Sequence, residues 1–559
     1  MRCEGRCNDW IKLLGVVSLF LSGTCCSQEL SLDSNRESLR NNPLRIGAAP
    51  TTRDFNVVNY GAKCDNVRDD RAAIQAAINA AAAVSAGAGN PSTLVTFPTG
   101  TCIVASGSLK NSQNGVSFAG QGIEATYIVE PGNGGVFDLF NLAGAGYYSF
   151  TGMTLKNFTA VNANYAINNV SGANIVLSNL QVGGFLYGVA VTGSAGNFTA
   201  DNLQMAMPTN AIGVSFSGTG EVRRLVHSII SNASGPTLPT AAIKITGGAG
   251  YDLVGNEFEQ SRYAMLVQPG AGSVVYSINA VDDWFDTSTS DGVLLDGSAS
   301  GAVITRVSMT GDWFSSSSAG NGIEIKGAVK GVHIANSEVF ANAMDGVRAD
   351  DAAMLDGLTL TGNLIAQNAS GGVYIGAGDA NFIITGNIIG PAADFAANAN
   401  GIVIASGAGD YFTVVGNDLS NNTSAAFTNR ASGTHITVGM NQGATLTSFG
   451  PVTGNNATFN LVTSGGSSFT VSGSSSCTAS IGPNPKASAG SIKVGAGGSC
   501  TYTFTLGGGS AAPNNLICVA YDETSGVQLA QMAQTSTSCS MRGVVSASDI
   551  IIWGVANSW

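Results

Sequence analysis

A four-residue pattern, a small residue followed by apolar, any, apolar, returns through the middle of the chain and restricts the fold more than any other feature. It begins at Ala166-Ile167 and recurs at Gly188-Val-Ala-Val, Gly213-Val-Ser-Phe, Ala242-Ile-Lys-Ile, Ala264-Met-Leu-Val, Gly292-Val-Leu-Leu, Gly322-Ile-Glu-Ile, Gly346-Val-Arg-Ala, Gly372-Val-Tyr-Ile and Gly401-Ile-Val-Ile, at intervals of 22 to 30 residues. Strands of fixed length separated by loops of changing length are what stacked coils produce. Leucine-rich repeats need a stricter consensus, and propeller blades a period above about 40. The expected fold is therefore all-β, a parallel solenoid. Composition agrees: 74 glycines and only 11% charged residues suit many short strands joined by tight turns, with few helices.

A second regularity follows each repeat. Asp283-Trp284-Phe285, Asp312-Trp313-Phe314 and Ser337-Glu338-Val339-Phe340 recur at the coil interval. Reading the polar place along the axis gives Asn256, Asp283, Asp312, Glu338, Asn363, Asn387 and Asn417. Asparagines stacked about 4.8 Å apart can bond each other's amides, whereas three adjacent acids cannot. Asp283, Asp312 and Glu338 are thus expected within about 10 Å, close enough to raise one another's pKa and serve as acid and base. Alternation turns Trp284 and Trp313 outward as flat platforms for sugar rings. The structural alternative is that the acids cap turns and the tryptophans pack under loops.

Outward places on the first strand make another stripe: Asp296, then Glu324 and Lys326, then Arg348 and Asp350, then Tyr374. Glu324 and Asp350 differ by one coil and two residues, roughly 8 Å between backbones, which leaves room for a water between acid and base. Lys326 and Arg348 either hold acidic substrate groups or neutralise their neighbours. Both stripes flank the loops 286–291 and 315–321.

The N-terminal part carries Phe55-Asn-Val-Val-Asn-Tyr60-Gly61-Ala62, Asp65, and Asp69-Asp70 before a helical stretch with Ile74 and Ile78 on its apolar face. Phe97-Pro98, Gly100-Thr101 and Gly120-x-Gly122 follow. Asp69 is positioned to cap the helix. In order and type these residues resemble the N-terminal cap of the pectate-lyase-like, glycoside-hydrolase-28-related superfamily of right-handed parallel β-helices, shared with phage tailspikes. The resemblance spans roughly 75 residues. It implies a polysaccharide substrate, a helical cap that covers strand edges, and a groove along the helix side; it leaves a homotrimer open. The superfamily's polygalacturonases carry Asn-Thr-Asp, Asp-Asp, Gly-His-Gly and Arg-x-Lys blocks. Only Asp282-Asp283 corresponds here, and none of His227, His333 or His435 lies in Gly-His-Gly.

Residues 1–27 read as an export signal, with Arg2, Arg6 and Lys12 before an apolar run of about nine residues, too short to span a bilayer. Cys25 leaves a lipoprotein anchor as the alternative, although Leu21-Ser-Gly-Thr24 puts leucine one place too early for the usual lipobox. Soluble export is expected, to the extracellular space, the periplasm or the cell surface, with no membrane insertion once the signal is removed. Residues 28–52 form a polar leader, 53–130 the cap and first coils, 131–440 the helix, 441–476 a linker, and 477–559 a disulfide-bonded β-module. Six cysteines remain after signal removal, Cys64, Cys102, Cys477, Cys500, Cys518 and Cys539, an even number that suits disulfides. The formal net charge of −12 argues against nucleic acid. No phosphate loop, zinc spacing or nucleophile elbow occurs, so no cofactor is expected; Ca2+ enters only if the reaction is elimination. The expected activity is polysaccharide cleavage by hydrolysis, less readily by a lyase reaction. A non-catalytic glycan-binding adhesin or a structural surface β-helix is the alternative.

Overall fold

The computed structural model describes residues 53–443, apart from 87–91, 106, 114, 132–139, 144–146, 159–164, 171–173, 193–196, 233–237, 352, 393, 432 and 434, and then the backbone of the strands between 468 and 557. Through the first span the chain winds as a parallel β-solenoid of about 12 turns. The small-apolar repeat is its first sheet. Val189, Val214, Ile243, Met265, Val293, Ile323, Val347, Val373 and Ile402 are consecutive partners from coil to coil. The small residue is required by space: a Cβ on Gly322 would stand 2.7 Å from the Gly346 carbonyl oxygen and 2.8 Å from Val339 Cγ1.

Each coil continues into a second sheet, as in Val274–Val281 and Val303–Thr310, and after a two-residue turn into a short third one, as in Trp284–Asp286, Trp313–Ser315 and Glu338–Phe340. The first turn residue is left-handed in each: His227, Gly255, Asp282, Gly311, Asn336, Gly362, Gly386, Gly416 and Met440 have φ between 48° and 73°. Glycine, asparagine and aspartate tolerate this region best. The second turn residue enters the ladder. Phe258, Phe285 and Phe314 point inward, with ring centroids 5.4 Å and 5.0 Å apart.

The ladder differs from expectation at one place. Between Asn256 and Asn417 its members run Asp283, Asp312, Ser337, Asn363 and Asn387, because Asp312 N–H donates to Ser337 Oγ and Ser337 N–H donates to Asn363 Oδ1; Ser228 and Asn441 extend it at the two ends. Glu338 is therefore not a ladder acid. It pairs with Trp313 on one side and Leu364 on the other, in the outward row of the tryptophans. The left-handed residue sets the register, and Asn336 fills that place directly before Ser337. A second buried column, Asn342, Asn368 and Asn398, lines the turn from the third sheet back to the first, with Asn342 Nδ2 and Asn368 Nδ2 each donating to the next Oδ1.

Near the start, the helix Arg71–Ser85 buries Ile74, Ala77, Ile78 and Ala81. Asp69 Oδ1 accepts from the amides of Arg71 and Ala105. Asp70 holds the cap position itself, but its carboxylate turns away to the amides of Lys63 and Cys64. Cys64 is bonded to Cys102. The strands from Ser468–Gly473 to Ile550–Asn557 pair antiparallel in one eight-stranded sheet. Residues 1–52, expected to be an export signal and a leader, Cys477 and the side chains of Cys500, Cys518 and Cys539 lie outside the described residues. Among the described residues no helix is long and apolar enough to cross a membrane.

Candidate active site

Asp283 and Asp312 are structural in their surroundings. Both are buried, at 0% and 1% exposure. Asp283 Oδ1 accepts from the backbone and side-chain amides of Asn256, and its own N–H donates to Asp312 Oδ1 at 2.8 Å. Burial pushes Asp283 up to about 7 and Asp312 up to about 8, the amide bonds pulling the other way. A carboxyl enclosed in this way has no surface to offer a ligand, so neither residue is placed to act as an acid or a base on one.

The third sheet does carry its tryptophans outward, yet they are not two open platforms. Their rings stack on each other with centroids 5.5 Å apart and 26° between planes. Trp313 is further closed by the edge-on ring of Phe340 and donates from Nε1 to Ser315 Oγ. Trp284 is half exposed. Its partner in the preceding coil is Glu257, and the next outward row holds Glu259 against Asp286. Burial, then the charges of Glu257 and Asp286, raise the pKa of Glu259.

On the first sheet the outward row reads Lys244, Leu266, Leu294, Glu324, Arg348, Tyr374, each the partner of the next. Two residues further along every strand lies a parallel row in which Asp296 is the partner of Lys326. These are the positions expected to face one way, and the register brings them together. Glu324 is the centre. It is 8% exposed, its Oε1 lies 3.0 Å from Lys326 Nζ, and it sits beyond the buried Leu294. Burial pushes its carboxyl up to about 7, aided by a hydrogen bond to the carboxyl of Asp291 and by that residue's charge; Lys326 opposes the shift.

Around this acid stand paired charges. Arg348 reaches Asp345 at 3.0 Å and Asp350 at 3.4 Å, and its guanidinium lies 4.2 Å from the centre of the Tyr374 ring. Tyr374 donates its hydroxyl to Asp351 at 2.6 Å. The rows lead back to an open cleft of about 630 Å3 lined by Lys244, Thr246, Gln268, Ser273, Asp296 and Ser298. Gln268 Nε2 donates to Asp296 Oδ2 at 2.9 Å and fixes the carboxylate on the cleft wall. Such a surface offers an extended chain hydrogen-bonding groups first and an acid with a proton near neutrality second.

Sequence reading missed Asp291, Asp345 and Asp351. The first two had a signal: with Asn321 they recur at the coil interval, and Asn321 donates to Asp291 while Asp345 N–H donates to Asn321. Asp351 had none, since it lies in a loop. The one group of three potential metal donors among the described residues, Cys64, Asp70 and Cys102, has both sulfurs in the disulfide.

Residues 55–139 match a family model described as rhamnogalacturonase A/epimerase, pectate lyase-like. That match covers the helix and first coils and stops short of the groove. No curated protein matches. Among solved structures, the A-module of an Azotobacter vinelandii mannuronan C-5 epimerase is similar at 18% identity, covering 70% of this chain and 99% of that one with a TM-score of 0.39. The tailspike protein 3 of bacteriophage CBA120 is similar at 14% identity, over 72% and 68% of the two chains with a TM-score of 0.43. A tailspike of the E. coli bacteriophage HK620 is similar at 12% identity, over 90% and 94% with a TM-score of 0.44.

Proposed function

We propose that this chain, a parallel β-helix of the pectate-lyase-like superfamily, binds a polysaccharide along its first sheet and cleaves it by hydrolysis. The observation that carries the reading is Glu324, a carboxyl pushed up to about 7 in the outward row of the first sheet, 3.0 Å from Lys326, whose strand partner Asp296 lines the cleft. A general acid needs a pKa close to the working pH so that it holds its proton yet can give it up.

In this reading Glu324 protonates the glycosidic oxygen as the bond to the anomeric carbon breaks. Asp350, one coil on and two residues along, takes a proton from a water whose oxygen adds to that carbon. The backbone offset of about 8 Å suits an inverting reaction, in which a water fits between the carboxyls. Each product ends in a hydroxyl, and the proton on Asp350 returns to Glu324 through solvent. Lys326 and Arg348 hold the neighbouring carboxylates in place, Tyr374 gives a sugar ring an aromatic edge beyond the cut, and Lys244, Gln268 and Asp296 hold the chain before it. The Cys64–Cys102 bond and residues 1–27 support a working place outside the cytoplasm.

The test is Glu324→Gln. Removing a general acid costs about 10²–10⁴-fold in rate, and glutamine keeps the shape of the groove. Product release within threefold of the unaltered chain, on any polysaccharide that the latter cleaves, would remove Glu324 from the chemistry. A binding-only adhesin would release no new reducing ends from any polymer while retaining it in a pull-down assay.

A further inference from the structure

We propose that the cleft beside Trp284, on the third sheet, is a second binding site that takes cationic amino-sugar chains. The cleft measures about 270 Å3 and is lined by His227, Ile229, Glu257, Asp282 and Trp284, with Asn256 at its base. One face of the Trp284 indole is covered by Trp313. On the side of the preceding coil its row neighbour is Glu257, so the half-exposed ring closes one end of the cleft.

Charge decides what fits there. Glu257 and Asp282 both border the cleft, and Glu259 and Asp286 stand in the adjoining outward row. Among the described residues none of these four carboxylates is in an ion pair with a lysine, arginine or histidine. The one basic group on the wall, His227, is engaged by Asp201 at 3.1 Å. A uronic acid or sulfated sugar would be repelled. A neutral sugar would gain contact with the indole but offer the carboxylates only uncharged hydroxyl donors, which are weaker than a charged one. A sugar carrying a primary ammonium satisfies both, since its ring covers the aromatic face while the ammonium gains cation–π attraction and charge-assisted bonds to Glu257 and Asp282. Choosing a sugar over a basic peptide rests on the glycan reading of the groove; the site itself does not depend on Glu324 or its neighbours.

The experiment is tryptophan fluorescence and calorimetry with four oligomers of equal length: glucosamine, N-acetylglucosamine, galacturonate and lysine. Glucosamine oligomers are expected to quench the fluorescence and to bind at least tenfold tighter than the acetylated ones, weakening as salt is added. Trp284→Ala and Glu257→Gln each reduce that affinity at least tenfold, and Glu324→Gln leaves it unchanged. Both altered side chains lie on the outer face, and an unchanged melting temperature confirms folding. Equal binding of the acetylated oligomer, tighter binding of the lysine oligomer, or full affinity in Trp284→Ala would overturn the site. A Glu324→Gln chain that no longer cleaves but still binds glucosamine oligomers supports both proposals. One that cleaves normally and binds them overturns the groove reading alone.

Discussion

Asp312 keeps one carboxylate oxygen, Oδ2, buried without a hydrogen-bond partner. Asparagine at the equivalent turn donates from Nδ2 both to a carbonyl of the preceding coil and to the next ladder oxygen, as Asn363 does to Ile334 and Asn387. An aspartate that remains here instead makes the ladder sensitive to pH. Burial raises Asp283 and Asp312 from the ordinary 3.8 to about 7 and about 8, so the folded chain holds their protons more tightly than the unfolded one. The stability they contribute is complete below about pH 4 and is lost as pH rises through 7 and 8. The melting temperature should therefore fall between about pH 4 and 8, and Asp283→Asn with Asp312→Asn should flatten that slope and gain on the order of a few kcal/mol at pH 8 and above. Thermal melts of both chains across this range check it; parallel slopes would show that the two carboxyls are not the source. Under the proposed mechanism Glu324 titrates with activity: hydrolysis should decline tenfold per unit above about pH 7 as the acid loses its proton.

At the scale of a single coil, much was readable and the exceptions have physical causes. The small residue before each first-sheet strand announces the close approach of the next coil's carbonyl, and so the strand register of the first sheet could be read from the sequence. The rows Glu324, Arg348, Tyr374 and Asp296, Lys326 followed from alternation alone. Between Asn256 and Asn417 the ladder is legible except at Ser337, because a serine there does not match its acidic and amide neighbours, although it follows Asn336, a residue type that tolerates the left-handed turn. Whether Asp283 and Asp312 were buried could not be read, because alternation breaks at a two-residue turn. Nor could the stacking of Trp284 on Trp313, since the period fixes the side of a strand but not the rotamer. Asn387 shows what a ladder residue is worth. It donates to Leu360 and Asn417 and accepts from Asn363, all at 2.9 Å. Asn387→Ala leaves those groups unpaired in the interior and should cost about 2–4 kcal/mol, measurable by denaturant titration. The Cys64–Cys102 bond closes a loop of 38 residues. By the chain-entropy estimate, replacing both by serine should cost about 4 kcal/mol, with protease sensitivity rising first near the helix Arg71–Ser85.

For the whole molecule, the solenoid divides labour between its sheets. The interior ladders hold the coils in register, the first sheet carries an open cleft and, one coil on, the outward acid Glu324, and the third carries an aromatic and acidic cleft. A surface that repeats at each coil suits a repeating polymer, which is the substrate class proposed above. The most direct measurement is reducing-end release from a panel of polysaccharides by the unaltered chain, Glu324→Gln and Asp312→Asn. The groove account predicts a loss of at least 100-fold for Glu324→Gln and activity within threefold for Asp312→Asn. Abolished cleavage in Asp312→Asn together with full activity in Glu324→Gln would contradict it and return the chemistry to the ladder.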